Sequence, residues 1–355
     1  MPKAISRNSD QRVRRALLGW FRRCARFLPW RKRRSAYAIW VSEIMLQQTQ
    51  VATVIPYYRR FLKAFPTLPA LAQAPLERVL ELWSGLGYYR RARHLHQAAQ
   101  VIVERLAGHF PGTYGEARSL PGVGDYTARA VLSLAYRRPI AVLDGNVARV
   151  VARYRALHGN LHQSQFRRAV EQELDCLLSR RRPGDFNQAL MELGQTVCLP
   201  RAPRCPLCPL RRFCAGYATG NPESFPQPRP RRASELRYLA AVVLRRGHKT
   251  LLVRGLDEGL MSDLWNFPAA FGATPNDARL RLLEKLRVLI PSEVRLGEPA
   301  GDLTHGITFR KIRVLVYLAR TGGRVAAQTG RWVHLPNLKT AAVSRLTQKI
   351  AASLR

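Results

Sequence analysis

The sequence predicts a mainly α protein, with an all-helical domain followed by a smaller α+β domain. Three observations lead there. Apolar residues recur at helical spacing from Asn8 to about Pro200, with no alternating strand pattern in that half. The stretch Thr219–Arg232 then carries four prolines and follows neither helical nor strand logic. Beyond it, short apolar runs of strand character are interleaved with two helical segments. A chain of 355 residues favours two domains. These signals set them at 1–218 and 235–355, with a linker at 219–234.

In the first segment Val13, Leu17, Trp20, Cys24 and Phe27 share one helical face, and Arg and Lys fill the other. Pro29, Pro56, Pro66, Pro69, Pro75, Pro111 and Pro121 are expected to punctuate a series of helices joined by short turns. Leu120-Pro-Gly-Val-Gly124 opens a helix expected over Asp125–Tyr136. An apolar run ending at Leu143 is broken by Asp144-Gly-Asn146 before a helix over Val147–Tyr154. In the second domain Leu239–Leu244, Leu251–Val253 and Ile307–Leu318 are expected strands, and Asp277–Ile290 and Ala341–Leu354 expected helices. No internal repeat is visible.

An apolar content of 46% excludes a disordered tail protein. Lys and Arg number 59 against 23 Asp and Glu, a net charge of +36. Self-repulsion on that scale argues for a polyanionic partner. No apolar run approaches the roughly 20 residues of a membrane-spanning helix. Arg12, Arg14 and Arg15 lead into no uninterrupted apolar stretch and no cleavage site, so a secretory signal is not expected. Nucleic acid is the favoured partner, and a cytoplasmic, nucleoid-associated location is expected.

Glu43 is the only charged residue between Ser35 and Tyr58. Its helical neighbours are Ile39, Trp40, Leu46 and Gln47, so little on that helix invites solvent. A carboxyl among such groups has a raised pKa, which suits a general acid near neutral pH. Asp144 reads as a helix N-cap, a position that can also aim a carboxylate into a cleft. Two isolated carboxylates in a basic chain are the elements of glycosidic-bond cleavage. Gly122 and Gly124 allow a tight turn and leave helix N–H groups open to a phosphate. Cys198, Cys205, Cys208 and Cys214 could hold Zn²⁺ or a cubane cluster, since both take four thiolates. Zinc ligands usually form two close doublets, which this spacing lacks. Arg201, Arg204, Arg211 and Arg212 lie in the same segment and would face DNA, while Cys24 and Cys176 read as ordinary thiols.

Leu28-Pro-Trp30, Trp40-Val-Ser-Glu-Ile-Met-Leu-Gln-Gln-Thr-Gln50, Gly85-Leu-Gly-Tyr-Tyr89, Leu120-Pro-Gly-Val-Gly124, Leu143-Asp-Gly-Asn-Val147 and the four cysteines occur in one order. That set resembles the MutY family of adenine DNA glycosylases, in the helix-hairpin-helix superfamily, densely from Leu28 to Cys214. The resemblance implies a monofunctional, monomeric glycosylase acting on double-stranded DNA, removing adenine opposite 8-oxoguanine and, less well, opposite guanine. It implies that Glu43 protonates adenine, that Asp144 stabilises the sugar cation, and that Tyr126 and Asn146 hydrogen-bond around Asp144. Tyr126 stands where lyase relatives carry a catalytic lysine, so Schiff-base strand cutting is not expected. Trp30, Arg31, Leu46 and Gln188 are implied for the adenine pocket. Gln48 and Tyr88 are implied to enter the base stack, with Thr49, Leu86, Gly122 and Gly124 at the DNA. The cysteine loop 198–214 is implied to hold a [4Fe–4S] cluster.

Gly259-Leu-Met-Ser-Asp-Leu-Trp-Asn-Phe-Pro268 is similar to part of the family's Nudix-like module. A Nudix hydrolase holds metal with several glutamates on the next helix. Here that helix offers only Asp277 and Glu284, so recognition rather than hydrolysis is expected. Where the family commonly has Phe-Ser-His at a loop tip, this chain has Leu303-Thr-His305. By resemblance Thr304 and His305 read 8-oxoguanine, without the aromatic face. Two rivals stand beside this reading: a glycosylase for mismatched thymine or uracil, and a catalytically inert iron–sulfur DNA-binding protein.

Overall fold

The computed structural model describes residues 7–32, 35–228, 233–256, 264–290, 294–307, 309–322, 330–339 and 342–354. They group into two compact units: Met1–Gln73 with His94–Pro230, and Ala74–Arg93 with Arg231–Arg355.

The first unit is built from helices. It begins with α1 (Arg7–Cys24), α2 (Pro29–Lys32), α3 (Ala36–Leu46), α4 (Val51–Ala64) and α5 (Leu68–Gln73). Helix α6 (Leu76–Trp83) lies in the second unit, and α7 (Arg90–Arg105) begins there and runs back into the first. The first unit continues with α8 (Tyr114–Ser119), α9 (Asp125–Leu134), α10 (Gly145–Arg155), α11 (Ser164–Leu177), α12 (Pro183–Thr196) and α13 (Ala215–Ala218). Val13, Leu17 and Trp20 of α1 are buried as their spacing predicts. They join a core with Val151 of α10, Val170 and Leu174 of α11 and Phe186 and Leu193 of α12. Cys24 and Phe27 depart from that face, because α1 stops at Cys24 and Phe27 is 70% exposed. Pro56 departs too: it lies inside α4 instead of ending a helix, one turn in, where it removes a single backbone donor.

The prolines after Thr219 do not leave a free linker. Pro222–Ser224 form a 3₁₀ turn, Phe225 is buried in the helical core, and the Gln227 N–H donates to the Gly159 carbonyl at 2.8 Å.

The second unit adds to α6 a sheet of β1 (Glu235–Arg246), β2 (Lys249–Arg254), β3 (Trp265–Asn266), β4 (Ala269–Gly272), β5 (Gly301–Ile307), β6 (Arg310–Arg320) and β7 (Gly330–His334). Its order is β3-β2-β1-β6-β5, with β4 paired to β1 and β7 to β2, and among the described strands only β1 and β6 are parallel. Helices α14 (Pro275–Leu289) and α15 (Arg345–Ser353) cover opposite faces. Strand β1 shows why. Leu239, Ala241 and Val243 pack with Leu346 and Ile350 of α15, and Ala240 and Val242 pack with Ala278, Leu282 and Leu286 of α14. The expected strand Ile307–Leu318 is divided: Ile307 ends β5, and Arg310 begins β6, its antiparallel partner. Gly259–Asp263 of the Nudix-like stretch lie outside the described residues.

Candidate active site and thiol loop

Helix α3 carries the first carboxylate. Ser35 caps its start, accepting from the Ala38 N–H at 3.2 Å, and every residue from Tyr37 to Met45 is buried. A helix apolar all round can only be an interior one. Glu43 is 4% exposed, so its carboxyl needs a partner, and the Tyr126 hydroxyl of α9 donates to its Oε2 at 2.8 Å. Burial pushes the Glu43 pKa up to about 7; Tyr126 and the Arg31 charge pull it down, and Asp144 pushes it further up. Burial, with the two carboxylates beside it, raises the Tyr126 phenol well above its ordinary value. Tyr126 therefore bonds Glu43, not Asp144 as the resemblance implied.

Asp144 caps α10. Its Oδ1 accepts from the Val147 N–H at 2.7 Å, and its Oδ2 accepts from the Asn146 Nδ2 at 3.1 Å. The other end of that amide is fixed as well, because Asn146 Oδ1 accepts from Arg149 Nη2 at 2.9 Å. Arg149 also donates to the carbonyls of Gly194 and Cys198, which ties the second carboxylate to the thiol loop. Gly194 lets α12 approach: a Cβ there would lie 2.8 Å from Asn146 Cβ.

A cavity of about 1260 Å³ opens over both carboxylates. Trp30, Arg31, Leu46 and Gln188 line it with Tyr126 and Asn146, as do Gln48, Thr49 and Gly124. Arg31 donates to Gln188 Oε1 at 3.2 Å and to Glu192 Oε2 at 2.8 Å. Glu192 is 1% exposed and also receives Arg26 Nε at 2.6 Å. Burial opposes ionisation there, but the two guanidinium groups outweigh it and hold the carboxyl below its ordinary range. Sequence reasoning missed Glu192, Arg26 and Arg149. A signal was present for the first, since Gln188 and Glu192 are one turn apart on α12.

Gln48 and Tyr88 share a backbone signature, with left-handed φ values of 56° and 50° in non-glycine residues, and both are exposed. Such a conformation costs on the order of 1–3 kcal/mol and clusters at functional sites. Leu86 does not join them at a surface: it is 6% exposed. Gly122 (φ +71°) turns the chain into α9, and a Cβ there would meet His94 Cβ at 2.5 Å. Gly124 caps α9 with open space around it.

In the thiol loop, Arg153 of α10 is 2% exposed and clasps the chain from inside. It donates to the carbonyls of Leu199, Pro200 and Phe225 and to Cys198 Sγ at 3.5 Å, while the Cys214 thiol donates to the Arg153 carbonyl at 3.3 Å. Among the described residues no group of three or more His, Cys, Asp or Glu is placed to hold a single metal ion. The four thiols are nonetheless neighbours: burial first, then the proximity of Cys198, Cys214 and Cys205, pushes Cys208 up to about 12. A cubane binds one thiolate at each of four irons, so its sulfurs stand wider than the ligands of one ion, and this donor set suits it. Arg201, Arg204, Arg211 and Arg212 are all exposed.

In the second unit the expected loop tip Leu303-Thr304-His305 is part of β5, with Thr304 opposite Arg313 and His305 opposite Ile312. Successive side chains of a strand face opposite sides. Thr304 is exposed, while His305 is 7% exposed and its Nδ1 has no hydrogen-bond partner among the described residues. Burial, then the charges of Lys349 and Arg345, lower the His305 pKa to about 4, so the ring is neutral at pH 7. The two side chains thus do not present to one base together.

Residues 41–176 match the family model of HhH-GPD superfamily base excision DNA repair proteins. The adenine DNA glycosylases of Rattus norvegicus and Homo sapiens are each 36% identical over 397 aligned residues, covering 95% of this chain and 77% and 73% of theirs. This chain belongs to the adenine DNA glycosylase family. The likeness to the rat and human members runs through both units, not the helical one alone. A solved thermostable thymine-DNA glycosylase is 27% identical with a TM-score of 0.54, covering 60% of this chain and 98% of that one. A solved endonuclease III–DNA complex has the same fold at 22% identity and a TM-score of 0.52, covering 61% of this chain and 99% of that one.

Proposed function

We propose that the chain excises adenine from DNA where it faces 8-oxoguanine, and less well where it faces guanine, by hydrolysing the N-glycosidic bond. The observation that carries this reading is Glu43, a buried carboxyl with a pKa of about 7, in a cavity shared with Asp144, the carboxylate that caps α10. Glu43 protonates the base, and Asp144 balances positive charge on the sugar. Trp30, Leu46, Arg31 and Gln188 hold the flipped adenine, while Gln48 and Tyr88 fill the stack it leaves. The phenol of Tyr126 offers no amine for a Schiff base, so the enzyme is monofunctional. Double-stranded DNA is met by a monomer, and the +36 charge supplies the sequence-independent part of binding. Cys198, Cys205, Cys208 and Cys214 hold a [4Fe–4S] cluster that stabilises the loop presenting the four arginines. The C-terminal unit is a Nudix-like reader of the lesion, with Thr304 an exposed polar group on β5.

The test uses duplexes with adenine, thymine or uracil opposite 8-oxoguanine or guanine, scored for base release before and after alkali. Release of adenine alone, with strand breaks only after alkali, is the expected result; release of thymine or uracil refutes the specificity. Borohydride should trap DNA on Tyr126→Lys but not on wild type. Protein as purified should be brown, with about four irons per chain; zinc in their place refutes the cluster.

A further inference from the structure

The loop bearing Tyr88 is held by residues more than two hundred positions away. The Ser84 and Tyr89 hydroxyls both donate to the carbonyl of Val343, each at 3.2 Å. Tyr89 Oη also accepts from the Gly85 N–H at 3.0 Å, so one phenol pins the turn at both ends. Gln348 Nε2 of α15 donates to Ser84 Oγ at 3.1 Å. Trp265 Nε1 reaches Glu77 Oε1 on α6 at 3.3 Å, and Val343 bridges to Trp265. All these residues belong to the second unit.

The other side of α15 meets β5. Lys349 Nζ donates to the Thr304 carbonyl at 3.4 Å, and Lys349 and Arg345 set the charge around His305. Neighbours on one helix, Gln348 and Lys349, therefore touch the Tyr88 loop and the strand that carries Thr304. Ser344 caps α15 through the Thr347 N–H at 3.0 Å, with Ser344 and Thr347 both buried, so the helix start is fixed. A helix capped at its start and tied near its middle to both elements transmits position, not slack.

We propose that α15 is a strut that sets the Tyr88 loop from the lesion-facing strand, with Gln348, Ser84 and Tyr89 as positioning residues for base flipping. This rests on the reading above that Tyr88 enters the stack and that β5 faces the lesion. The strut makes extrusion of adenine depend on contacts to the opposite base, before any contact in the adenine pocket.

The experiment compares Gln348→Ala and Tyr89→Phe with wild type on two duplexes under single turnover: adenine paired with 8-oxoguanine, and adenine already unstacked in a single-base bulge. Each variant removes one polar group, and a hydrogen bond of ordinary strength corresponds to a rate loss of about twofold to tenfold. That loss is expected on the paired duplex, together with a smaller 2-aminopurine fluorescence rise on binding, while the bulge is cut at the wild-type rate. Equal losses on both duplexes, or none on either, overturn the proposal. Gln348 is only partly buried, so its variant keeps the test decisive if Tyr89→Phe folds poorly. Tyr88→Ala separates the two claims: wild-type speed there sinks the flipping role itself. A slow Tyr88→Ala beside unaffected Gln348→Ala sinks the strut alone.

Discussion

In the first unit, groups that would act together converge. Glu43 comes from the middle of α3, Tyr126 from the first turn of α9, and Asp144 from the cap of α10, and all line one cavity. On β5 of the second unit, two groups expected to act together diverge, Thr304 outward and His305 into the core. The chain geometry explains the contrast. Packed helices bring a side chain from one helix interior and two from helix starts to one point, whereas the pleat sends adjacent residues to opposite faces. A site assembled from separate helices can be dense in chemistry; a regular strand offers one residue of each adjacent pair.

The first way to break this comparison is to neutralise the convergent site. Glu43→Gln should slow single-turnover excision by about 10²–10⁴-fold with mispair binding retained, and Asp144→Asn should be similarly impaired. Near-normal rates would remove the assigned roles. The same Glu43→Gln protein should be more stable than wild type at pH 8. A carboxyl whose pKa is raised from 4.5 to about 7 on folding disfavours the folded state progressively as pH rises through that window. The penalty saturates at roughly 3 kcal/mol above it. Urea denaturation at pH 8 and pH 4 should show the advantage at the first pH and not at the second.

The divergent strand gives a second and smaller effect. Thr304→Ala should narrow the preference for 8-oxoguanine over guanine, by up to about 5- to 150-fold if the hydroxyl reads the base edge. His305→Ala should act chiefly on stability. Wild type should lose stability as pH falls from 6.5 towards 4, since a ring buried neutral must be charged, and the variant should lose that part of the slope. A His305→Ala protein of normal stability with lost discrimination would show that β5 rearranges on DNA.

The smallest effect concerns Tyr126. Its hydrogen bond favours ionised Glu43, so Tyr126→Phe should move the alkaline limb of the pH–rate profile upward by about one unit. A limb that moves down, or stays, would mean that Tyr126 serves some other group.

The sequence made one half of this comparison legible. A lone Glu in an apolar helix and an Asp at a helix start are local signals, and both locate the groups the cavity gathers. The Tyr126–Glu43 pairing was not legible, because it depends on how α3 packs against α9. The pairing of Glu192 was hidden for the same reason, as its partners Arg26 and Arg31 lie more than 150 residues earlier. The course of β5 was not legible, because Leu303-Thr-His305 reads as a loop tip just before a strand, whereas it lies within a strand of its own that pairs with β6.

Because Ala74–Arg93 packs with Arg231–Arg355, the order of synthesis matters to this molecule. The Tyr88 loop leaves the ribosome about 250 residues before α15, which at roughly 5–20 residues per second is on the order of ten to fifty seconds. Throughout that interval the carbonyl of Val343 and the amide of Gln348 do not yet exist, so the turn has only its local bonds, such as Gly85 N–H to Tyr89 Oη. Nascent chains arrested before Val343 emerges should therefore be cleaved by protease within 84–89, and chains released at full length should be protected there. Equal protection in both would mean that the helical unit holds the turn unaided.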